Sequence, residues 1–141
     1  MTRHDDVGVE IVVEDGDQHG HSRPIVLRLG WRRDEPMAVQ FTLRGIPDHP
    51  VLYWGDWAIL RDFLRYGLEE PTGDGDVRIT PESPAGTIRL DLGSAGGRPC
   101  AVRLPMATVR GFLAATEAIV PSGEEASEAL LEALIERLLQ R

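Results

Sequence analysis

His19 and His21 flank one glycine and lie close in sequence to Asp15 and Asp17. Imidazole and carboxylate are ordinary ligands of divalent metals, so this stretch has the composition of a weak metal site. Two imidazoles without a third strong ligand make a polar hairpin loop the plainer reading, and His49 stands too far along the chain to complete an obvious triad. Ser94 sits in Gly93-Ser94-Ala95-Gly96-Gly97. A serine elbow needs Gly-x-Ser-x-Gly between a strand and a helix, and this stretch has neither the spacing nor the helix. Gly73-Asp74-Gly75-Asp76 resembles a calcium loop but lacks the glutamate at its twelfth position. Asp76 is read instead as fixing a turn through side-chain-to-backbone bonds. Cys100, beside Ala101 and Val102, is read as a small buried apolar residue, because a reactive thiol needs an electropositive, partly exposed setting. No catalytic residue, metal site or cofactor is expected, and the chain is read as non-enzymatic.

The partner-like feature is carried by the last stretch. Glu125, Glu128, Glu132 and Glu136 line one side of a helical pattern, and Leu130, Leu131, Leu134, Leu138 and Leu139 line the other. Like charges at i,i+4 cost a helix roughly 0.2–0.5 kcal/mol per pair. The glutamates are therefore the candidate partner-binding residues, and the leucines are expected to face core.

Composition bounds the rest. The chain has 141 residues, one domain's worth. All 15 basic residues are arginine, against 23 acids, for a net charge of −8. The absence of lysine excludes Schiff-base chemistry and a Walker phosphate loop. The negative total disfavours nucleic acid and anionic membranes. The charge is uneven: residues 1–22 carry one arginine against six acids, residues 23–110 twelve against eleven, and residues 111–141 two against six. One cysteine fits a reducing compartment. With no apolar run of membrane-spanning or signal length, the expectation is a cytoplasmic protein without membrane insertion.

The elements that must position these residues follow from periodicity. Strands are predicted over 7–14, 24–31 and 37–44, with Val39, Phe41 and Leu43 on one face. Trp57, Leu60, Phe63, Leu64 and Leu68 recur at helical spacing. That helix begins either at an Asp56 cap or at Leu60 after a strand over 51–59. Residues 71–75 read as a turn, and 76–80, 86–92 and 98–104 as three more strands. Pro105 opens a helix whose apolar face is Val109, Phe112, Leu113, Thr116 and Ile119. Pro121 stops it, and Ser122 with Glu125 reads as a capping box for the last helix. The expected fold is a single α+β domain of antiparallel strands with helices, ordered strands, helix, strands, two helices. Within it, 1–22 is an acidic N-terminal segment with the first strand and loop, and 23–141 is the body. Two strand-then-helix halves hint at an internal repeat.

Trp57-Ala58-Ile59-Leu60-Arg61-Asp62-Phe63-Leu64-Arg65-Tyr66-Gly67-Leu68, followed by Pro71, Gly73, Gly75, Asp76 and Val77, resembles the SsgA-like proteins, actinobacterial regulators of sporulation and cell division. Asp34-Glu35-Pro36-Met37-Ala38-Val39 and Val120-Pro121-Ser122-Gly123-Glu124 resemble two further elements of that family in the right order. The likeness covers about residues 24–141. Ile59 stands where phenylalanine is usual and Thr80 where tryptophan is common. The resemblance implies a fold similar to the whirly single-stranded nucleic-acid-binding proteins and a homo-oligomer, such as a trimer. It also implies action at the division septum through division or cell-wall proteins, one branch recruiting the tubulin-like protein FtsZ and others working with a family paralogue. Single-stranded nucleic-acid binding is the alternative that the fold likeness suggests. The motif residues read mainly as scaffold, with Gly73 and Gly75 supplying special backbone angles and Arg61 paired to Asp76.

Overall fold

A computed structural model describes residues 5–16, 22–46, 53–93, 100–125, 135–136 and 138–139. Strands β1 (Val7–Gly16), β2 (Ser22–Trp31), β3 (Ala38–Gly45) and β4 (Tyr53–Leu60) form an antiparallel meander that runs into a short helix, α1 (Arg61–Tyr66). Strands β5 (Thr72–Asp74), β6 (Val77–Glu82), β7 (Thr87–Leu92) and β8 (Cys100–Pro105) form a second meander, followed by α2 (Met106–Ile119). The strand order is β4-β3-β2-β1-β8-β7-β6-β5. The two meanders thus lie side by side in the same sense. Among the described residues one register pair, Asp15 opposite Val102, joins β1 to β8. The architecture is effectively two four-stranded antiparallel sheets sharing a seam, in a single α+β domain.

Alternation builds the core. Successive strand side chains point to opposite faces, so every second residue goes inward. Ile25, Leu27 and Leu29 of β2, Val39, Phe41 and Leu43 of β3, Ile88, Leu90 and Leu92 of β7, and Val102 and Leu104 of β8 are all buried. Helix α2 packs on β1 and β8. It buries Val109, Phe112, Leu113 and Thr116 as its spacing predicts, whereas Ile119 at its end remains exposed. Cys100 is buried, as its place in the β pattern predicts. Gly111 lies on the outer side of α2, where an added Cβ meets nothing within 4 Å. Gly111→Ala is therefore expected to stabilise the domain by about 0.5–1 kcal/mol, read as a rise in urea midpoint at unchanged slope.

The acidic N-terminal segment is part of the sheet. β1 pairs with β2 from Val7 opposite Trp31 to Gly16 opposite Ser22. Its carboxylates meet arginines of the body: Asp5 pairs with Arg28 at 2.9 Å and Glu10 with Arg44 at 2.9 Å. Asp6 accepts from the backbone N–H of Arg33 at 2.8 Å. Part of the charge imbalance between the first segment and the body is thus compensated internally, at Asp5 and Glu10.

Four expectations need correction. Of the two starts offered for the first helix, the strand alternative holds: β4 runs through Leu60 and α1 begins at Arg61, so Trp57 and Leu60 stand on a strand and not on a helix face. The helical spacing was produced by a strand and a helix meeting end to end, and Leu60 is 45% exposed. Part of the stretch read as a turn is β5, which pairs with β6. In the hairpin between them Gly75 has φ of +59°, but Gly73 needs no left-handed angle. No helix begins at Ser122, since residues 122–123 form a turn and Glu125 is not yet helical. Helix is assigned at 135–136 and 138–139, where Ile135, Leu138 and Leu139 are exposed and do not face core. Glu128, Leu130, Leu131, Glu132 and Leu134 lie outside the described residues, as do His19, His21, His49 and Ser94.

Candidate functional site

Arg61 occupies the junction between β4 and α1, and its backbone N–H donates to the carbonyl of Met37 at 2.6 Å. That bond sets the end of β4 against the start of β3 and turns the arginine side chain inward. The side chain is 0% exposed. Its guanidinium lies 5.6 Å from the centroid of the Trp31 ring, within cation–π range. Trp31 is held in turn by donation from Nε1 to the carbonyl of Pro36 at 3.0 Å. Arg61 Nη1 donates to Thr116 Oγ1 at 3.2 Å, and Nη2 reaches the Pro121 carbonyl and Glu125 Oε2, each at 3.4 Å. The Nε–H of Arg61 has no hydrogen-bond partner among the described residues. A charge withdrawn from water in this way is tolerated only with a counter-charge and hydrogen bonds.

Glu125 supplies the counter-charge. It is 8% exposed, and its Oε1 accepts from the backbone N–H of Gly123 at 2.5 Å. Burial pushes its carboxyl upward. Hydrogen bonds from backbone N–H groups, including that of Gly123, and the Arg61 guanidinium outweigh burial and hold it below the usual carboxylate range. The sequence pattern put Glu125 on the outer acidic stripe of the last helix; the structure turns it into the domain. Of that stripe, Glu136 is exposed. Removing the charge with Glu125→Gln is expected to cost about 2–3 kcal/mol at neutral pH, because the buried Arg61 loses its counter-charge while the Thr116 hydroxyl and Pro121 carbonyl still accept from it. Because the folded carboxyl is the more acidic one, its stabilisation is complete above the unfolded value of about 4.3 and fades as pH falls through the folded value. The gap between wild type and Glu125→Gln in urea unfolding should therefore be widest near neutrality and close in acid.

A groove of about 260 Å³ opens beside this pair, lined by Met37, Leu60, Asp62, Gly123 and Glu125. Met37 and Leu60 are both exposed, next to each other at the end of the β3/β4 pair, where Ala38 lies opposite Leu60. Asp62 is engaged by Arg65 at 2.6 Å. A second, larger groove of about 460 Å³ lies on the outer face of the first meander. There Gly8 faces Gly30 across β1 and β2, and the Asp5–Arg28 pair lies over both glycines.

The family-type motif is spread through this framework. Trp57 Nε1 donates to the Gly93 carbonyl at 2.7 Å, tying β4 to the end of β7. Gly67 is buried, Leu68 packs at the edge of the core and Val77 is within it. Pro71 and Gly73 are exposed around β5. Asp76 uses its backbone carbonyl, which accepts from Gly93 N–H at 2.7 Å. The expected Arg61–Asp76 pair is absent, because Arg61 is directed to the segment after α2. Among the described residues no three of His, Cys, Asp and Glu are grouped to hold a metal, and no helix is long and apolar enough to cross a membrane. Arg28, Arg32, Arg44, Arg61, Arg65, Arg89 and Arg103 each lie within 3.4 Å of a carboxylate.

The sequence model of a family described as Streptomyces sporulation and cell division protein, SsgA, matches residues 25–125. The chain belongs to the SsgA family. The matched stretch closes on Glu125, so it contains both partners of the buried ion pair. A sporulation-specific cell division protein SsgB from Kineococcus radiotolerans is 34% identical over 141 residues, covering 97% of this chain and 82% of that protein. The SsgB of Streptomyces coelicolor is 33% identical over 106 residues, 74% of each chain. The crystal structure of an SsgA-like sporulation-specific cell division protein from Thermobifida fusca superposes with a TM-score of 0.76 at 26% identity, covering 97% of this chain and 98% of that one. A structure from a study of SsgB mutations and longitudinal cell division in Streptomyces coelicolor superposes with a TM-score of 0.71 at 30% identity, covering 84% and 91%. The SsgA-family motif thus coincides with the parts that hold the two meanders and the segment after α2 together.

Proposed function

We propose that this chain acts in sporulation-linked cell division as a non-enzymatic regulator or adaptor that binds other proteins. The family membership over residues 25–125 carries the reading. The family's description as a sporulation and cell division protein supports the non-enzymatic reading. Binding is assigned to the face bearing Met37 and Leu60, whose exposed apolar side chains border a groove with carboxylates at its rim. The partners are division or cell-wall proteins, FtsZ or a family paralogue among them, met at the septum. A homo-oligomer, such as a trimer, is the proposed working form. The exposed Glu136, with Glu128 and Glu132, is kept as a second candidate surface.

Affinity capture with the tagged chain from a sporulating actinobacterial culture tests this. Wild type should enrich at least one division or cell-wall protein. Leu60→Asp, which changes an exposed side chain, should lower that yield at least tenfold while urea unfolding shifts by no more than about 0.5 kcal/mol. Enrichment of no such protein, or equal recovery by Leu60→Asp, would count against the function or the assigned face respectively.

A further inference from the structure

The Arg61–Glu125 pair is an incomplete match. A guanidinium offers five N–H donors in a fork suited to both oxygens of one carboxylate. Glu125 does not meet that fork closely: its Oε1 accepts from the Gly123 N–H at 2.5 Å, while its contact to the guanidinium, through Oε2, is 3.4 Å long. The remaining contacts of the guanidinium are a hydroxyl at 3.2 Å and a carbonyl at 3.4 Å, and the buried Nε–H is without a partner among the described residues. The cation is fully buried and under-satisfied.

The segment that closes over it is lightly attached. Pro121, Ser122, Gly123 and Glu124 are exposed, and Glu125 alone among them is buried. The segment's backbone bond, Glu124 N–H to the Pro121 carbonyl at 3.0 Å, is internal to it. Among the described residues its polar ties to the body are the two 3.4 Å contacts to Arg61. Elements with few buried contacts and exposed backbone open first.

We propose that Arg61 is a carboxylate receptor closed in cis by Glu125, and that its alternative occupant is an acidic segment of a partner protein with an apolar residue beside the carboxylate. Exchanging one carboxylate for another keeps the buried cation paired throughout, which avoids the large cost of simple opening. An incoming carboxylate that is not tethered to the turn at Gly123 can approach the fork at ordinary hydrogen-bond length, closer than the 3.4 Å contact that Glu125 makes. Its apolar neighbour enters the groove between Met37 and Leu60. The identity of the partner rests on the adaptor reading above, but the site does not.

The 141-residue chain with Glu125→Ala, or with Glu125→Gln should alanine prevent folding, is titrated by calorimetry with the blocked tripeptides Leu-Glu-Ala and Leu-Gln-Ala. The glutamate peptide should bind the variant at least tenfold more tightly than the glutamine peptide does, and at least tenfold more tightly than it binds wild type. Leu60→Asp in the same background should weaken it. In parallel, acetate should raise the melting temperature of the variant above that in acetamide at equal ionic strength. Equal affinity for the two peptides, equal affinity of variant and wild type, or no binding together with equal melting in acetate and acetamide overturns the proposal. A mixed dimer of Glu125→Ala and Arg61→Gln chains that neither forms alone would place a second copy in the site and also overturn it. Each of these failures leaves the division role standing, because no division protein takes part in the measurement.

Discussion

Arg61→Met should destabilise the domain by about 3 kcal/mol, at the lower end of the cost of breaking a buried ion pair by removing one partner. Methionine restores the volume of the arginine stem but none of its donors. Thr116 Oγ1 loses a donor but keeps its own donation to the Leu113 carbonyl at 2.7 Å. The Pro121 carbonyl loses its contact, and Glu125 keeps a carboxylate at 8% exposure with backbone N–H groups, that of Gly123 among them, but no cation to hold it. Glu125 can regain water by swinging outward with its exposed segment, which is why the lower end of the range applies. The Trp31 face also loses its cation. Thermal unfolding should drop on the order of 10 °C for a domain of this size. The double variant Arg61→Met with Glu125→Gln should lose less than the sum of the singles, because the second change removes a charge already stranded by the first. Additive losses would show that the two residues act separately.

Gly67→Val should cost about 3 kcal/mol, the upper end for overpacking a close-packed interior. This glycine caps α1 with φ of −64° and ψ of −16°, angles open to any residue. Its requirement is space. An ideal Cβ placed on it would lie 2.7 Å from Ile79 Cβ and closer still to Ile79 Cγ2. Ile79 is 1% exposed and cannot retreat without displacing the second meander. A β-branched side chain adds two further methyl groups to that conflict. Urea unfolding would read the loss directly, and a shift below about 0.5 kcal/mol would mean that α1 and β6 separate more freely than their packing indicates. The contrast with Gly111→Ala is instructive: the same kind of change stabilises where the added carbon meets nothing.

These two positions explain why the family motif is dense around α1. Arg61 ties α1 to the segment after α2, and Gly67 lets α1 lie against β6. The motif reads from 57 to 77 as a linear string, yet what it secures is the contact of the first half of the chain with the second.

Much of this was legible in the residues themselves. Period-two alternation marks β2, β3, β7 and β8, and the 3.6-residue period marks α2, because which side chains must be dry is a local property of a strand or helix. The buried state of Cys100 follows from the same pattern. Other features were settled only by the tertiary structure. β5 is three residues of turn-forming types, made a strand by pairing with β6. β4 was blurred by helical spacing that happened to bridge two elements. The direction of Glu125 was beyond any window of pattern: Arg61 reaches the Pro121 carbonyl 60 residues away, and the neighbouring Glu125 is drawn inward with it. A local period records the water-facing side of an element but not which distant charge lies buried opposite. For this chain the sequence determined the strands, the long helix and the family, and the tertiary structure decided where the charges meet, because counter-charges are chosen by topology and not by spacing.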